Sequence, residues 1–318
     1  MDINLLIDNL TSPALLFFIL GIIAVKLKSD LAIPEGSSKF ISLYLLFSIG
    51  FKGGQELAHS NLNLDILWYV LFGIAIAIII PVYCFFILKN KLGIENAGAI
   101  AAAYGSVSAV TFVTAVSFLE FQNVKFSGHM VAVMALMEAP AIIIGVILIS
   151  LFQSKNDIKL ADIIKHSFTN GSVLLILGSL IIGMITSDNQ AQSIKPFTTD
   201  LFKGFLVLFL LDMGITSGKK LSDFLKNGWF TFGFAILVPL VNGCLVAFLS
   251  QFVTQNVGDR FIFAILAASA SYIAVPAAMK IAVPKANPGL YLPMALAVTF
   301  PFNITIGLPL YFSIITAC

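Results

Sequence analysis

Ala102-Ala103-Tyr104-Gly105-Ser106-Val107-Ser108-Ala109-Val110-Thr111 lies in the middle of a long apolar stretch, and it packs small, polar and helix-weakening residues where lipid would favour leucine. Ala267-Ala268-Ser269-Ala270-Ser271-Tyr272-Ile273-Ala274-Val275-Pro276 has the same character and the same surroundings in the second half of the chain. Unwound backbone at membrane depth survives only when it is buried in protein or lines a cavity. A matched pair of interrupted helices, one in each half, is the sequence mark of a transporter's substrate site.

Composition sets the class. Hydrophobic residues make up 59% of the 318 and charged residues 11%, where a soluble domain carries about 25% charged residues. With 29 phenylalanines against 18 lysines and arginines, the chain reads as an all-α integral membrane protein. The net charge of +2 and the lack of a basic run argue against a nucleic-acid partner. Cys84, Cys244 and Cys318 form no CxxC pair, and His59, His129 and His166 are scattered, so no metal spacing is visible. No phosphate-binding loop, dinucleotide fingerprint or nucleophile–base pair appears. The chain is therefore expected not to be an enzyme and to need no cofactor. Any pumping would run on an ion or substrate gradient.

Apolar runs predict ten membrane helices, over about 11–27, 39–58, 65–88, 97–119, 128–152, 172–187, 197–217, 228–251, 259–282 and 288–315. Met1-Asp2-Ile3-Asn4 has no basic region, so the first run is expected to be a retained span rather than a cleaved signal. Loops after odd-numbered spans hold Lys26, Lys28, Lys39, Lys89, Lys91, Lys155, Lys159, Lys165, Lys219, Lys220, Lys226, Lys280 and Lys285. Loops after even-numbered spans hold only Lys52, Lys125, Lys195 and Arg260. The positive-inside rule then predicts odd loops in the cytoplasm and both termini outside; the membrane expected is a bacterial inner membrane.

The halves echo each other. Ile49-Gly50-Phe51-Lys52-Gly53-Gly54 answers Met213-Gly214-Ile215-Thr216-Ser217-Gly218, Pro81 answers Pro239, and Val133-Met134-Ala135-Leu136 with Pro140 answers Pro293-Met294-Ala295-Leu296 with Pro301. Five spans per half force the second to enter from the opposite side. The organisation expected is a first repeat over 1–152, a cytoplasmic linker over 153–171, and an inverted second repeat over 172–318. Such inverted repeats support alternating access.

The chemistry is expected at the interruptions. Half-helix N-termini offer free N–H groups to an anion, and unwound carbonyls suit a cation such as Na⁺. Ser106, Ser108, Thr111, Ser269 and Ser271 add hydroxyls, while Gly105, Ala109, Ala270 and Ala274 allow close approach. Glu138, in Met137-Glu138-Ala139-Pro140, is a carboxyl inside a span, where charge is costly and usually functional. It could bind a cation, relay a proton or orient the first break. Thr299 and Asn303 stand in the corresponding region of the second half. Asp212 is expected to pair with Lys203 or with a broken-helix end.

Taken together, these residues resemble the sodium-dependent bicarbonate transporters (SbtA-like permeases). The resemblance is carried by Ile49-Gly50-Phe51-Lys52-Gly53-Gly54 followed by Ser60-Asn61-Leu62; by Gly105-Ser106-Val107-Ser108 with Thr111; by Met137-Glu138-Ala139-Pro140-Ala141; by Ala267-Ala268-Ser269-Ala270-Ser271; and by Pro284-Lys285-Ala286-Asn287-Pro288 with Tyr291. It implies an elevator-type transporter with two broken helices crossing at the bilayer midplane, a homotrimer, and bicarbonate held between the breaks beside Na⁺ as coupling ion. It implies a substrate site of Gly105, Ser106, Val107, Ser108, Ser269, Ala270 and Ser271. Thr111, Glu138, Ser271, Tyr272 and Asn303 are the residues expected for the ion or its coupling. Family members that bind Na⁺ carry an aspartate after the serines of the second break, where this chain has Tyr272. The short linker also weakens the expectation of a PII-like regulatory partner. A proton- or Na⁺-coupled carrier of a small monocarboxylate, and a sensor or channel on the same fold, stay open as alternatives.

Overall fold

The computed structural model describes residues 3–59, 65–152, 171–224 and 228–317, and among these every regular element is helical. Among the described residues six helices are long and apolar enough to cross a membrane: Ile66–Leu92, Ile94–Phe121, His129–Phe152, Asp188–Leu221, Trp229–Phe252 and Pro288–Ala317. Most of the expected linker, with His166, lies outside the described residues.

Local chemistry sets many of the ends. α1 (Ile3–Leu10) leads into α2 (Pro13–Lys26), where the Ser12 hydroxyl accepts from the Leu15 N–H and Pro13 takes the first turn. The helix expected over 39–58 begins earlier, as α3 (Glu35–Ala58). α4 (Asp65–Leu92) runs through Pro81. α5 (Ile94–Gly105) and α6 (Ala109–Phe121) form one interrupted unit, followed by α7 (His129–Phe152) through Pro140. In the second half come α8 (Gly171–Ile185), then α9 (Asp188–Lys195), which passes through a π-helical turn (Pro196–Asp200) into α10 (Phe202–Phe224). α11 (Trp229–Leu249) runs through Pro239. α12 (Val257–Ala268) and α13 (Ala274–Ala282) form the second interrupted unit. α14 (Pro288–Ala317) is wound as a π-helix over Met294–Thr299 and Asn303–Gly307.

Several helix pairs approach closely enough to require glycine, and two of them join helices of the two halves. α2 packs along α10 and α3 along α8. A Cβ on Gly21 would lie 2.7 Å from the Ile215 nitrogen, and one on Gly214 would lie 3.2 Å from the Gly21 Cα. In the other pair, a Cβ on Gly50 would lie 2.8 Å from the Ile176 carbonyl oxygen, and one on Gly183 would lie 3.1 Å from the Gly54 Cα. Small residues let backbones meet where lipid supplies no hydrophobic drive between helices. Gln55 adds polar contacts, its amide donating to the carbonyls of Gly183 and Thr186.

Burial is graded. The interrupted units are almost wholly enclosed: Ala97 and the run Ala99–Ala103 of α5, and Phe261–Ala268 of α12, are all buried. By contrast α4 exposes Leu67, Trp68, Leu71, Ile78 and Ile79, and α11 exposes Leu237, Val241, Leu245 and Phe248. The two broken units expose few large apolar side chains, Phe121 at the far end of α6 and Ile273 at the second break, so most of their unwound backbone is kept inside protein.

Candidate functional site

The first break is fixed by sterics and by a cap. The Pro81 ring of α4 occupies the space in which any Cβ at residue 105 would sit, so only glycine fits there. Ser106 then turns extended, with ψ at 176°. Ser108 is also extended, and its hydroxyl accepts from the Thr111 N–H at 3.2 Å, capping α6. The second break repeats the device. Ser269 is extended after α12, with ψ at 166°. The Ser271 hydroxyl accepts from the Val275 N–H at 3.4 Å, in the first turn of α13.

The two breaks are bonded to each other. The Ser271 N–H donates to the Ala103 carbonyl at 2.8 Å, and the Ser108 N–H donates to the Ser269 hydroxyl at 3.0 Å. The Ser269 hydroxyl in turn donates to the Leu266 carbonyl at 2.9 Å. α14 supports both breaks. Asn303 donates to the Ala268 carbonyl at 2.7 Å, which satisfies one of the carbonyls freed at the end of α12. The Thr299 hydroxyl donates to the Ala235 carbonyl at 2.7 Å, so the Tyr104 hydroxyl, 2.7 Å away, is the donor to Thr299. Tyr311 approaches Asn303 Oδ1 at 3.4 Å and the Pro239 carbonyl at 3.0 Å.

A cavity of about 10 Å³ sits at this junction, lined by Val107, Ser108, Ala109, Glu138, Ser172, Ser271, Tyr272 and Ile273. That is room for about one water. The N-terminal ends of α6 and α13 both reach it, so two positive dipole ends face one small space. The Glu138 carboxyl lies on the same wall and is itself buried. Beside this cavity is a vestibule of about 540 Å³, which shares Ser172, Tyr272 and Ile273 with it. The vestibule extends to Ala32, Glu35 and Lys39 at the start of α3 and to Asp212 and Lys219 of α10.

Val107, Ser108, Ser271, Tyr272 and Glu138, all expected at the site, are thus brought to one cavity. The others serve the junction from outside it. Gly105 packs on Pro81, Ser269 bonds the opposite break, and Ala270 is buried between them. Thr111 contributes its N–H to the Ser108 cap, and Asn303 holds Ala268. Ser106 is buried with its hydroxyl unpartnered among the described residues. Asp212 departs from expectation: it accepts from the Ser38 hydroxyl, while Lys203 stands 3.5 Å from Glu120, which Lys52 also meets at 3.4 Å. Sequence reasoning missed Ser172. It begins an apolar run and carries no local sign that α8 would bring it to the junction. Among the described residues no three His, Cys, Asp or Glu side chains cluster as a metal site.

Compared with known proteins, the chain matches the family model described as the Na⁺-dependent bicarbonate transporter superfamily over residues 13–316. No curated protein matches it.

Proposed function

Because the chain belongs to the Na⁺-dependent bicarbonate transporter superfamily, a family of membrane transporters and not of enzymes, we propose that it is a secondary transporter of a small anion, bicarbonate first. The observation that carries this reading is the reciprocal bonding of the two breaks, Ser271 N–H to Ala103 and Ser108 N–H to Ser269, around a cavity faced by two helix N-termini. The Ser108 and Ser271 N–H groups are used in that bonding, so a small oxyanion would be held by the other N–H groups of the two helix N-termini and by serine hydroxyls. The remaining site residues, Gly105, Ser106 and Ala270, keep the backbone in place for that contact.

Coupling follows from Glu138. An ionised carboxylate next to a bound anion is a like-charge pair in a low-dielectric site, so a cation must enter with the substrate. Na⁺ is the family's coupling ion, and Ser271, Thr111 and nearby carbonyls are oxygen donors of the kind it uses. A second reading is favoured by Tyr272. With a neutral phenol where Na⁺-binding relatives carry an acid, a proton on Glu138 supplies the positive charge instead.

The motion we propose is an elevator. The glycine-joined helices α2, α3, α8 and α10 act as a frame, and the two broken units, with α4, α7, α11 and α14, move against it as an inverted 5+5 assembly of ten spans. With the lysine-rich loops in the cytoplasm and both termini outside, the vestibule next to Lys39 and Lys219 opens inward. A homotrimer is the assembly, in a bacterial inner membrane.

The deciding experiment is uptake of labelled bicarbonate into proteoliposomes with and without a Na⁺ gradient. Saturable uptake stimulated by inward Na⁺ supports the first reading. Uptake indifferent to Na⁺ but driven by an acid exterior supports proton coupling. No saturable uptake of bicarbonate or of any small monocarboxylate would refute the transporter reading.

A further inference from the structure

We propose that Tyr272 is the gate of the junction cavity and sets the size of the solute it admits. The proposal rests on reading the junction as a transport site. The small cavity and the vestibule have one wall in common, built from Ser172, Tyr272 and Ile273. Of these, Ser172 is short, and Ile273 is 41% exposed and already stands in the open space. The Tyr272 ring, 9% exposed, is the bulky part of the wall and closes it.

The ring is held by a few side-chain contacts. Its hydroxyl donates to the Met213 sulfur at 3.7 Å, a weak acceptor, and comes within hydrogen-bonding reach of Ser108. Its edge meets Phe300 with ring centroids 6.2 Å apart. Its backbone is held more firmly: the preceding residue, Ser271, is tied by its N–H to Ala103 at 2.8 Å, so the side chain has a fixed pivot. On one side of the ring there is space for about one water, too little for a carbon with three oxygens. On the other side are about 540 Å³, into which a phenol ring can turn. Solute entry therefore requires the ring to leave its place, and its return seals the solute off. Because the ring is neutral at ordinary pH, it selects by size and not by charge.

The test is chemical labelling, which does not depend on the identity of the solute. In the full chain with Cys84, Cys244 and Cys318 replaced by alanine, Val107→Cys places a thiol on the wall of the small cavity, where the native side chain is 2% exposed. A membrane-permeant methanethiosulfonate reagent is added to detergent-solubilised protein. Slow labelling is expected with Tyr272 present, acceleration of at least about tenfold with Tyr272→Ala, and only a few-fold change with Tyr272→Phe, which keeps the ring and loses the tether. Should Tyr272→Ala not remain monodisperse, Tyr272→Leu replaces it, with an expected acceleration between the two. Equal labelling rates in the Tyr272 protein and in the alanine or leucine variant would overturn the gate. If labelling accelerates as expected but no anion is transported, the gate stands and the transport reading falls.

Discussion

Glu138 is the residue on which the energetics of the site turn. A buried carboxyl with no ion-pair partner among the described residues is rare in a membrane interior and is retained for function far more often than for packing. Glu138→Gln keeps the shape and removes the exchangeable charge. On the proton-coupled reading it abolishes acid stimulation of uptake while leaving the protein folded; on the Na⁺-coupled reading it weakens Na⁺ stimulation instead. Uptake measured across pH and Na⁺ separates the two. Asn303 acts differently, since its amide serves the Ala268 carbonyl and does not line the cavity. Asn303→Ala leaves that buried carbonyl unserved and is expected to cost about 1–3 kcal/mol, read as a lowered unfolding midpoint. At the surface, His59 meets the Gln55 carbonyl at 2.8 Å and stands 3.1 Å from Asp188, and these contacts raise its pKa, the carbonyl first. A raised histidine pKa contributes stability below its unfolded value, near 6.5, and loses that contribution as pH rises through the folded value. The difference in melting temperature between the wild type and His59→Gln is therefore expected to be larger at acid than at alkaline pH, and small throughout because the pair is exposed.

At the scale of elements, the glycine crossings carry the clearest prediction. A side chain at Gly54 would collide with backbone of α8, not with a flexible side-chain tip. Gly54→Ala is thus expected to cost about 1–3 kcal/mol through forced separation of two helices, whereas Gly178→Ala, where a Cβ meets nothing within 4 Å, is expected to be neutral or mildly stabilising. A thermal-shift comparison of the two variants checks the contrast. The interruptions were the most legible elements in the sequence. Gly105-Ser106-Val107-Ser108 and Ala268-Ser269-Ala270-Ser271 carry their cause locally, in a residue without a Cβ and in serines that cap the next helix. The π-helical form of α14 was not legible: Pro301, Gly307 and Pro309 mark a weakened helix, since each proline lacks the N–H that the i−4 carbonyl needs, but they do not say how the backbone rewinds over Met294–Thr299 and Asn303–Gly307. Their register is set by what α14 touches: Asn9 donates to the carbonyls of Ile304 and Thr305 at 2.8 and 3.1 Å. The same limit hid Ser172 and the Ser38–Asp212 bond, whose partners are 174 residues apart in the latter case. Side-chain partners that distant are fixed by packing, and packing has no period to read.

For the whole molecule, the shared support from α14 has a kinetic and spectroscopic meaning. Thr299 holds Tyr104 beside the break of one interrupted unit and Asn303 holds Ala268 at the break of the other. Paired spin labels bridging those two units are accordingly expected to report one narrow distance in every condition. Labels bridging α3 and α7 are expected to report two distances whose weights respond to substrate. Should the first pair broaden when substrate is added, cargo would be handled by prising a binding cleft apart. Should it stay sharp, the cleft is a rigid capsule, and the rate of transit is set by friction along its outer walls.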